Sequence, residues 1–219
     1  TSYGRNKGSY RVLDALATLG FDYPPRASFF RKQLVALFEM ERDAHIDAST
    51  ITGSYAGAMG FPQFIPTSYQ AYAVDFDGDD VIDLVNSPAD AIGSVASYFA
   101  AHKWQPGLPV AARARVDGDD YDALMKKGYK PGFTLAQARK NGVVAVSCEG
   151  DSLSSDYCFD LPADTSVAML DLIGDDGHEF WLVSDNFYVI TRYNHSELYA
   201  MAVLQLSHRI ADALEARSL

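Results

Sequence analysis

The feature that most constrains the fold is a change of texture at about Trp104 and a second change near Ser196. Before Trp104 apolar residues recur at helical spacing: Val12, Leu13, Leu16 and Leu19 form one stripe, with Gly20 following as a stop. From Ser28 a second run places Phe29, Phe30, Gln33, Leu34, Leu37 and Phe38 on one broad face, with Arg31, Lys32, Glu39 and Arg42 opposite. Ser87, Pro88 and Asp90 have the form of a helix start, with Ser as cap and Pro at the first helical position, and that helix should reach about His102. Between Trp104 and Val189 the runs LPVAARARV, GVVAVSC, TSVAMLDLI, EFWLVS and FYVITRY read as strands, and GDDG at 174–177 is a hairpin signal. TLAQARKNG is a short helix within that region, capped by Thr134 and ended by Gly142, and from Ser196 a long amphipathic helix follows. The resulting class is α+β: a mainly helical core over 1–103, a small antiparallel β domain inserted at 104–189, and a C-terminal helix over 190–219 that returns to the helical part.

Composition narrows the function classes. The chain has 219 residues, 48% apolar and 21% charged, with no apolar run near the roughly 18 residues that a membrane helix needs. A formal net charge of -11 argues against a nucleic-acid partner, whose phosphates are bound by clustered Lys and Arg. The two cysteines, Cys148 and Cys158, flank a polar loop whose ends meet easily; spacing alone leaves a disulfide and two free thiols both open. If paired, they would contribute about 2.5 to 3 kcal/mol by constraining the unfolded chain. The chain starts without an initiator Met or a signal peptide, which reads as part of a longer precursor.

Residues 53–69, GSYAGAMGFPQFIPTSY, combine small residues that let the backbone approach a ligand, hydrogen-bonding Ser54 and Gln63, and flat apolar faces in Phe61, Phe64 and Tyr69. The run DFDGDD follows. Asp75, Asp77 and Asp79 occupy positions 1, 3 and 5 of an EF-hand-type calcium loop, with the carbonyl of Val81 at position 7 and Ile82 at position 8. Two positions depart from the pattern: Asp80 stands where Gly is usual and Asn86 where a bidentate Glu is usual. A solvated acidic turn is the alternative.

The order of these segments, from YGRNKGSYRVLDALATLGFDYP through the 53–69 motif and NSPADAIGSVASYF to NFYVITRYNHSELYAMAV, resembles the B-type lytic murein transglycosylases, over about residues 3–99 and 186–206. The resemblance implies a lysozyme-like helical core, a structural calcium ion whose last ligand is Asp90, and no organic cofactor. For Asp90 the alternative is a helix-dipole role. The implied activity is cleavage of the β-1,4 bond between N-acetylmuramic acid and N-acetylglucosamine, giving a 1,6-anhydro sugar. Peptidoglycan strands are the implied partner, the periplasm the compartment, and a monomer, from a precursor that can be anchored at the outer membrane, the assembly. A periplasmic location favours the Cys148 to Cys158 disulfide.

Motif positions assign Ser54 and Gln63 to hydrogen bonds with the reacting sugars, Phe64 and Tyr98 to the groove wall, and Tyr193, Asn194 and Tyr199 to its C-terminal side. Tyr98 and Tyr199 are equally placed to be core tyrosines, Tyr193 and Asn194 to be a turn and cap, and Ser54 to be a turn residue. Arg26 matches an arginine that meets the peptide stem, although Pro25 and Phe29 replace the Arg and Tyr usual beside it. The family's acid is a glutamate in a Glu-Thr-x-(Tyr or Trp)-Gly motif. Thr1, Ser2, Tyr3 and Gly4 continue that motif, so the acid is expected immediately before Thr1 and no catalytic residue is assigned within the chain. Two further readings follow: a catalytically silent, calcium-stabilised peptidoglycan-binding fragment, and a hydrolase using Glu39 or Glu41, which lie on what reads as a solvated helix face.

Overall fold

A computed structural model describes residues 2–44, 46–125, 128–149 and 157–217. Contacts divide the chain into two units, Thr1–Ala101 and His102–Leu219.

In the first unit strand β1 (Tyr10–Arg11) leads into helix α1 (Val12–Phe21), and a 3-10 turn (Pro24–Arg26) leads into α2 (Ala27–Ala44). Val12, Leu16, Phe30, Leu37 and Met40 are buried, as the helical stripes predict. Gly20 is not the stop: α1 runs one residue past it, and a Cβ there would crowd Arg31 of α2, so this glycine serves close helix packing. Strand β2 (Thr52–Gly53) pairs antiparallel with β1, Gly53 bridges to Met59, and Met59 bridges to Phe64. Close approach at Gly8, at φ +90°, makes this possible, since a Cβ there would collide with the Gly53 carbonyl. Helices α3 (Pro66–Tyr72) and α4 (Pro88–Ala101) complete the unit. Gln33, buried at 2% exposure on the apolar face of α2, accepts the Thr67 N–H at 3.0 Å, one of the donors that the first turn of α3 cannot satisfy itself.

The second unit holds β3 (Ala111–Val116), α5 (Asp122–Met125), β4 (Phe133–Thr134), α6 (Leu135–Lys140), β5 (Val143–Ala145), β6 (Ser166–Gly174), β7 (Gly177–Val183), α7 (Asp185–Tyr193) and α8 (Glu197–Glu215). The strands form one antiparallel sheet in the order β4-β6-β7-β3-β5. The hairpin at 174–177 forms, with Gly174 opposite Gly177. Thr134 and Gln137 make a reciprocal capping box at the start of α6. Four consecutive residues of β6, Val167 to Leu170, are buried, so this strand is covered on both faces. Cys148 and Cys158 are bridged, with Cα atoms 5.0 Å apart; residues 150–156 of the loop they close lie outside the described residues.

The strand expected at FYVITRY is instead helix α7. The Ser184 hydroxyl accepts the Asn186 N–H at 3.2 Å and donates to the Pro109 carbonyl at 2.6 Å, which fixes a helix start. Phe187, Ile190 and Thr191 then bury one side at helical spacing. The Asn186 side chain is fully buried and exchanges three 2.8 Å hydrogen bonds with the backbone at Gln105 and Leu108. These bonds override the β propensity of the run.

Candidate functional site

Within the first unit the ladder through Gly53, Met59 and Phe64 shapes the motif segment. Ser54 is consumed by that shape: its hydroxyl accepts the N–H groups of Ala56 and Ala58 at 3.2 and 3.1 Å, so it closes the turn. Gln63 sits in the left-handed region at φ +55°, a conformation that costs a side-chain-bearing residue about 1 to 2 kcal/mol. Its amide nitrogen donates to the Lys7 carbonyl at 3.1 Å and to the Gly60 carbonyl at 2.9 Å, tying the N-terminal segment to the 60–63 turn. Both N–H groups are thereby used, and among the described residues Oε1 alone remains to meet another group.

Phe64 is buried, and its ring centroid lies 6.3 Å from Tyr72 and 6.1 Å from Tyr98, which are themselves 4.9 Å apart. The two tyrosines, half-buried at the ends of α3 and α4, are the accessible members of this cluster. The sequence motifs do not mark Tyr72; its position three residues after Tyr69 on a short helix is the available signal. Tyr69 itself is 7% exposed and donates its hydroxyl to the Ile82 carbonyl at 2.9 Å, so it anchors the acidic loop. Burial first, then the charges of Asp83 and Asp90, push its pKa up to about 12. Arg26 lies over the Phe29 ring at 4.4 Å and near Phe30 at 5.2 Å. Glu39 accepts from the Gln70 amide at 2.9 Å, and Glu41 is exposed.

An apolar cavity of about 450 Å³ is lined by Tyr3, Gly4, Phe61, Pro62, Ile92 and Val95 among others. Lys7 caps the Phe61 ring at 4.6 Å and donates to the Val85 carbonyl at 2.7 Å.

The acidic loop brings Asp75, Asp77 and Asp90 together, with one carboxylate oxygen of each within 4.8 Å of the others. Asp90 is 1% exposed and accepts the N–H groups of Phe76 and Asp83, both at 2.8 Å, so it pins both ends of the loop. Asp75 accepts from Gly78 and Asp80, and the Ser87 hydroxyl donates to Asp77 at 2.9 Å. Asp79 is turned to the Val81 N–H at 2.9 Å and stands outside the cluster of three. Burial raises the Asp83 pKa, but hydrogen bonds from Asn86 and Val85 and the charge of Lys7 outweigh it, and the net shift is downward. Three hard carboxylates converging in this way are a donor set that fits a divalent calcium-like ion.

Tyr193, Asn194 and Tyr199 belong to the second unit. Tyr193 ends α7, Asn194 is its exposed C-cap, and the Tyr199 N–H is capped by the Ser196 hydroxyl at 3.2 Å. Burial raises the Tyr199 pKa.

This fold is the lysozyme-like α+β fold of lytic transglycosylases. The chain belongs to the Transglycosylase SLT domain family, whose model matches residues 1–208, and its relatives place it among the B-type lytic transglycosylases. It is 42% identical over 211 residues to membrane-bound lytic murein transglycosylase B of Escherichia coli (strain K12), covering 96% of this chain. It spans only 54% of that relative's length. The crystal structure of soluble lytic transglycosylase SltB1 from Pseudomonas aeruginosa superposes with a TM-score of 0.88 at 48% identity, over 98% of this chain and 67% of that one. The Escherichia coli lytic transglycosylase Slt35 in complex with calcium matches with a TM-score of 0.79 at 42% identity, over 97% of this chain and 63% of that one.

Proposed function

We propose that this chain belongs to a lytic transglycosylase that cleaves the β-1,4 bond between N-acetylmuramic acid and N-acetylglucosamine in peptidoglycan, leaving a 1,6-anhydro sugar. The observation that carries the reading is the match to the transglycosylase domain over residues 1–208. In this chemistry one carboxylic acid protonates the glycosidic oxygen, an oxocarbenium-like centre develops, and the muramic 6-hydroxyl attacks after giving its proton to the same carboxylate. The nucleophile belongs to the substrate, so the protein's task is positioning and charge stabilisation. The acid is assigned to a glutamate immediately before Thr1. The assignment rests on Thr1, Ser2, Tyr3 and Gly4, which continue the motif of the family's acid; such an acid needs apolar walls to stay protonated near neutral pH.

The half-buried rings of Tyr72 and Tyr98 offer flat faces for sugar rings, backed by Phe64. Gln63 positions the 60–63 turn and keeps Oε1 for a sugar hydroxyl. Ser54 holds the turn below it, and Arg26 is the candidate contact for a peptide stem. Calcium is assigned to Asp75, Asp77 and Asp90, with Asp79 and the Val81 carbonyl as the remaining candidates; its contribution is to hold the loop ends that Asp90 already joins. No helix among the described residues is long and apolar enough to cross a membrane, and the reading carries a periplasmic monomer.

The test is digestion of sacculi by this chain and by one extended upstream through the glutamate, with product analysis by mass spectrometry. Release of 1,6-anhydro-muropeptides by the extended protein is expected. Products with free reducing ends would identify a hydrolase instead, and activity from the 219 residues alone would move the acid to an internal carboxylate.

A further inference from the structure

In the second unit, strand β5 ends the five-stranded sheet, and among the described residues only one of its edges is paired. Val146 N–H donates to the Arg113 carbonyl and Asp117 N–H to the Gly142 carbonyl, both at 2.8 Å, with Val144 opposite Arg115 between them. An antiparallel ladder alternates, so residues 142 and 144 and the Val146 N–H bond towards β3, the Val146 carbonyl accepts from Phe159 at 2.9 Å, and Val143 and Ala145 direct their N–H and C=O groups away from β3. Among the described residues nothing bonds to those four groups. Unpaired edges are usually blunted by shortness or by a bulge, a proline or a lysine on the strand; β5, reading Val-Val-Ala, is short but carries none of the other three.

The three β5 residues line a groove of about 600 Å³, a volume within the usual range for a ligand site. Its apolar side includes Val143 and Phe159, both buried. Arg139 and Lys140, exposed on the last turn of α6, stand at this groove, and neither has an ion pair among the described residues. One carboxylate, Asp160, also lines the groove, but it already accepts from the Ser147 hydroxyl and the Cys148 N–H, so the two adjacent cations make the local balance positive and favour an anion there.

We propose that the outer edge of β5 is a docking site for an extended acidic peptide, which adds as a sixth strand. Its main chain exchanges hydrogen bonds with Val143 and Ala145, its apolar side chains enter the groove, and its carboxylates meet Arg139 and Lys140. The site lies outside the sugar-binding motif and does not depend on the proposed glycan chemistry.

The 219-residue chain, labelled with nitrogen-15, is titrated with the acetylated pentapeptide Val-Glu-Val-Glu-Val and, separately, with Val-Lys-Val-Lys-Val. Amide shifts centred on Val143, Ala145, Arg139 and Lys140, with at least tenfold tighter binding of the glutamate peptide, are expected. The double variant R139E/K140E, a surface change, should remove that preference. Ala145→Pro deletes one outward donor without touching the bonds to β3 and should weaken both peptides at least fivefold; a melting curve checks that it folds. Equal binding of the two peptides, shifts located elsewhere, or no shifts at millimolar peptide would overturn the proposal. So would concentration-dependent shifts at β5 without peptide, which would assign the edge to a second copy of the chain.

Discussion

Gln63 gives the sharpest test, because its two roles make separable demands. Replacement by Ala removes the amide bonds to the carbonyls of Lys7 and Gly60, at 3.1 and 2.9 Å, and leaves the left-handed backbone in place. Each half-buried neutral bond contributes about 0.5 to 1.5 kcal/mol, so Gln63→Ala should lose roughly 1 to 3 kcal/mol of stability. Gln63→Gly loses the same bonds but relieves the left-handed conformation, recovering about 1 kcal/mol relative to Ala. Urea unfolding of the three proteins, with midpoints compared at constant slope, reads this directly. A glycine variant no more stable than the alanine variant would refute the strain argument, and two variants within about 0.5 kcal/mol of the parent would refute the bracing role.

The same variants, in the upstream-extended protein, separate bracing from substrate contact. If Oε1 accepts from a sugar hydroxyl mainly in the transition state, both variants should release anhydro-muropeptides more slowly than their stability loss accounts for, and glycine should not restore the rate. Parental turnover by the folded glycine variant would assign Gln63 to bracing alone.

The acidic loop should raise the melting temperature in calcium: binding to the folded state alone contributes roughly 2.7 kcal/mol at about 100-fold excess over the dissociation constant. Identical melts with calcium and with chelator would remove the assignment to Asp75, Asp77 and Asp90. Asn186→Ala removes three 2.8 Å bonds to the backbone of Gln105 and Leu108, but the Gln105 carbonyl keeps the Leu108 N–H and the exposed Gln105 can turn to water, so the change should cost about 2 to 3 kcal/mol in urea unfolding; a loss under 1 kcal/mol would show that the 105–108 turn holds without it. Thr134→Ala breaks the capping box of α6 and should cost about 1 kcal/mol, with faster amide exchange confined to that helix; unchanged exchange would place its stability in packing instead.

What the sequence reveals and what it hides divide along one physical line. Helices α1, α2, α4 and α8, the hairpin at 174–177 and the cap at Thr134 are written in spacings of a few residues, and they are legible because their causes are local. The groups that decide the rest come from far along the chain. FYVITRY carries Val, Ile and Thr and reads as a strand, yet Ser184 and Asn186 commit it to a helix by bonding to Pro109, Gln105 and Leu108, more than 70 residues away. The candidate site divides in the same way. Alternating aspartates mark the acidic loop, but Asp79 turns to its own neighbour Val81 while Asp90, from the next helix, supplies the buried carboxylate that joins the loop ends. Gln63 is recognisable as a residue with no packing reason to lie between Pro62 and Phe64. The direction of its amide is set by Lys7, 56 residues earlier, so the motif identifies the residue and only the fold determines which of its atoms is left for a ligand.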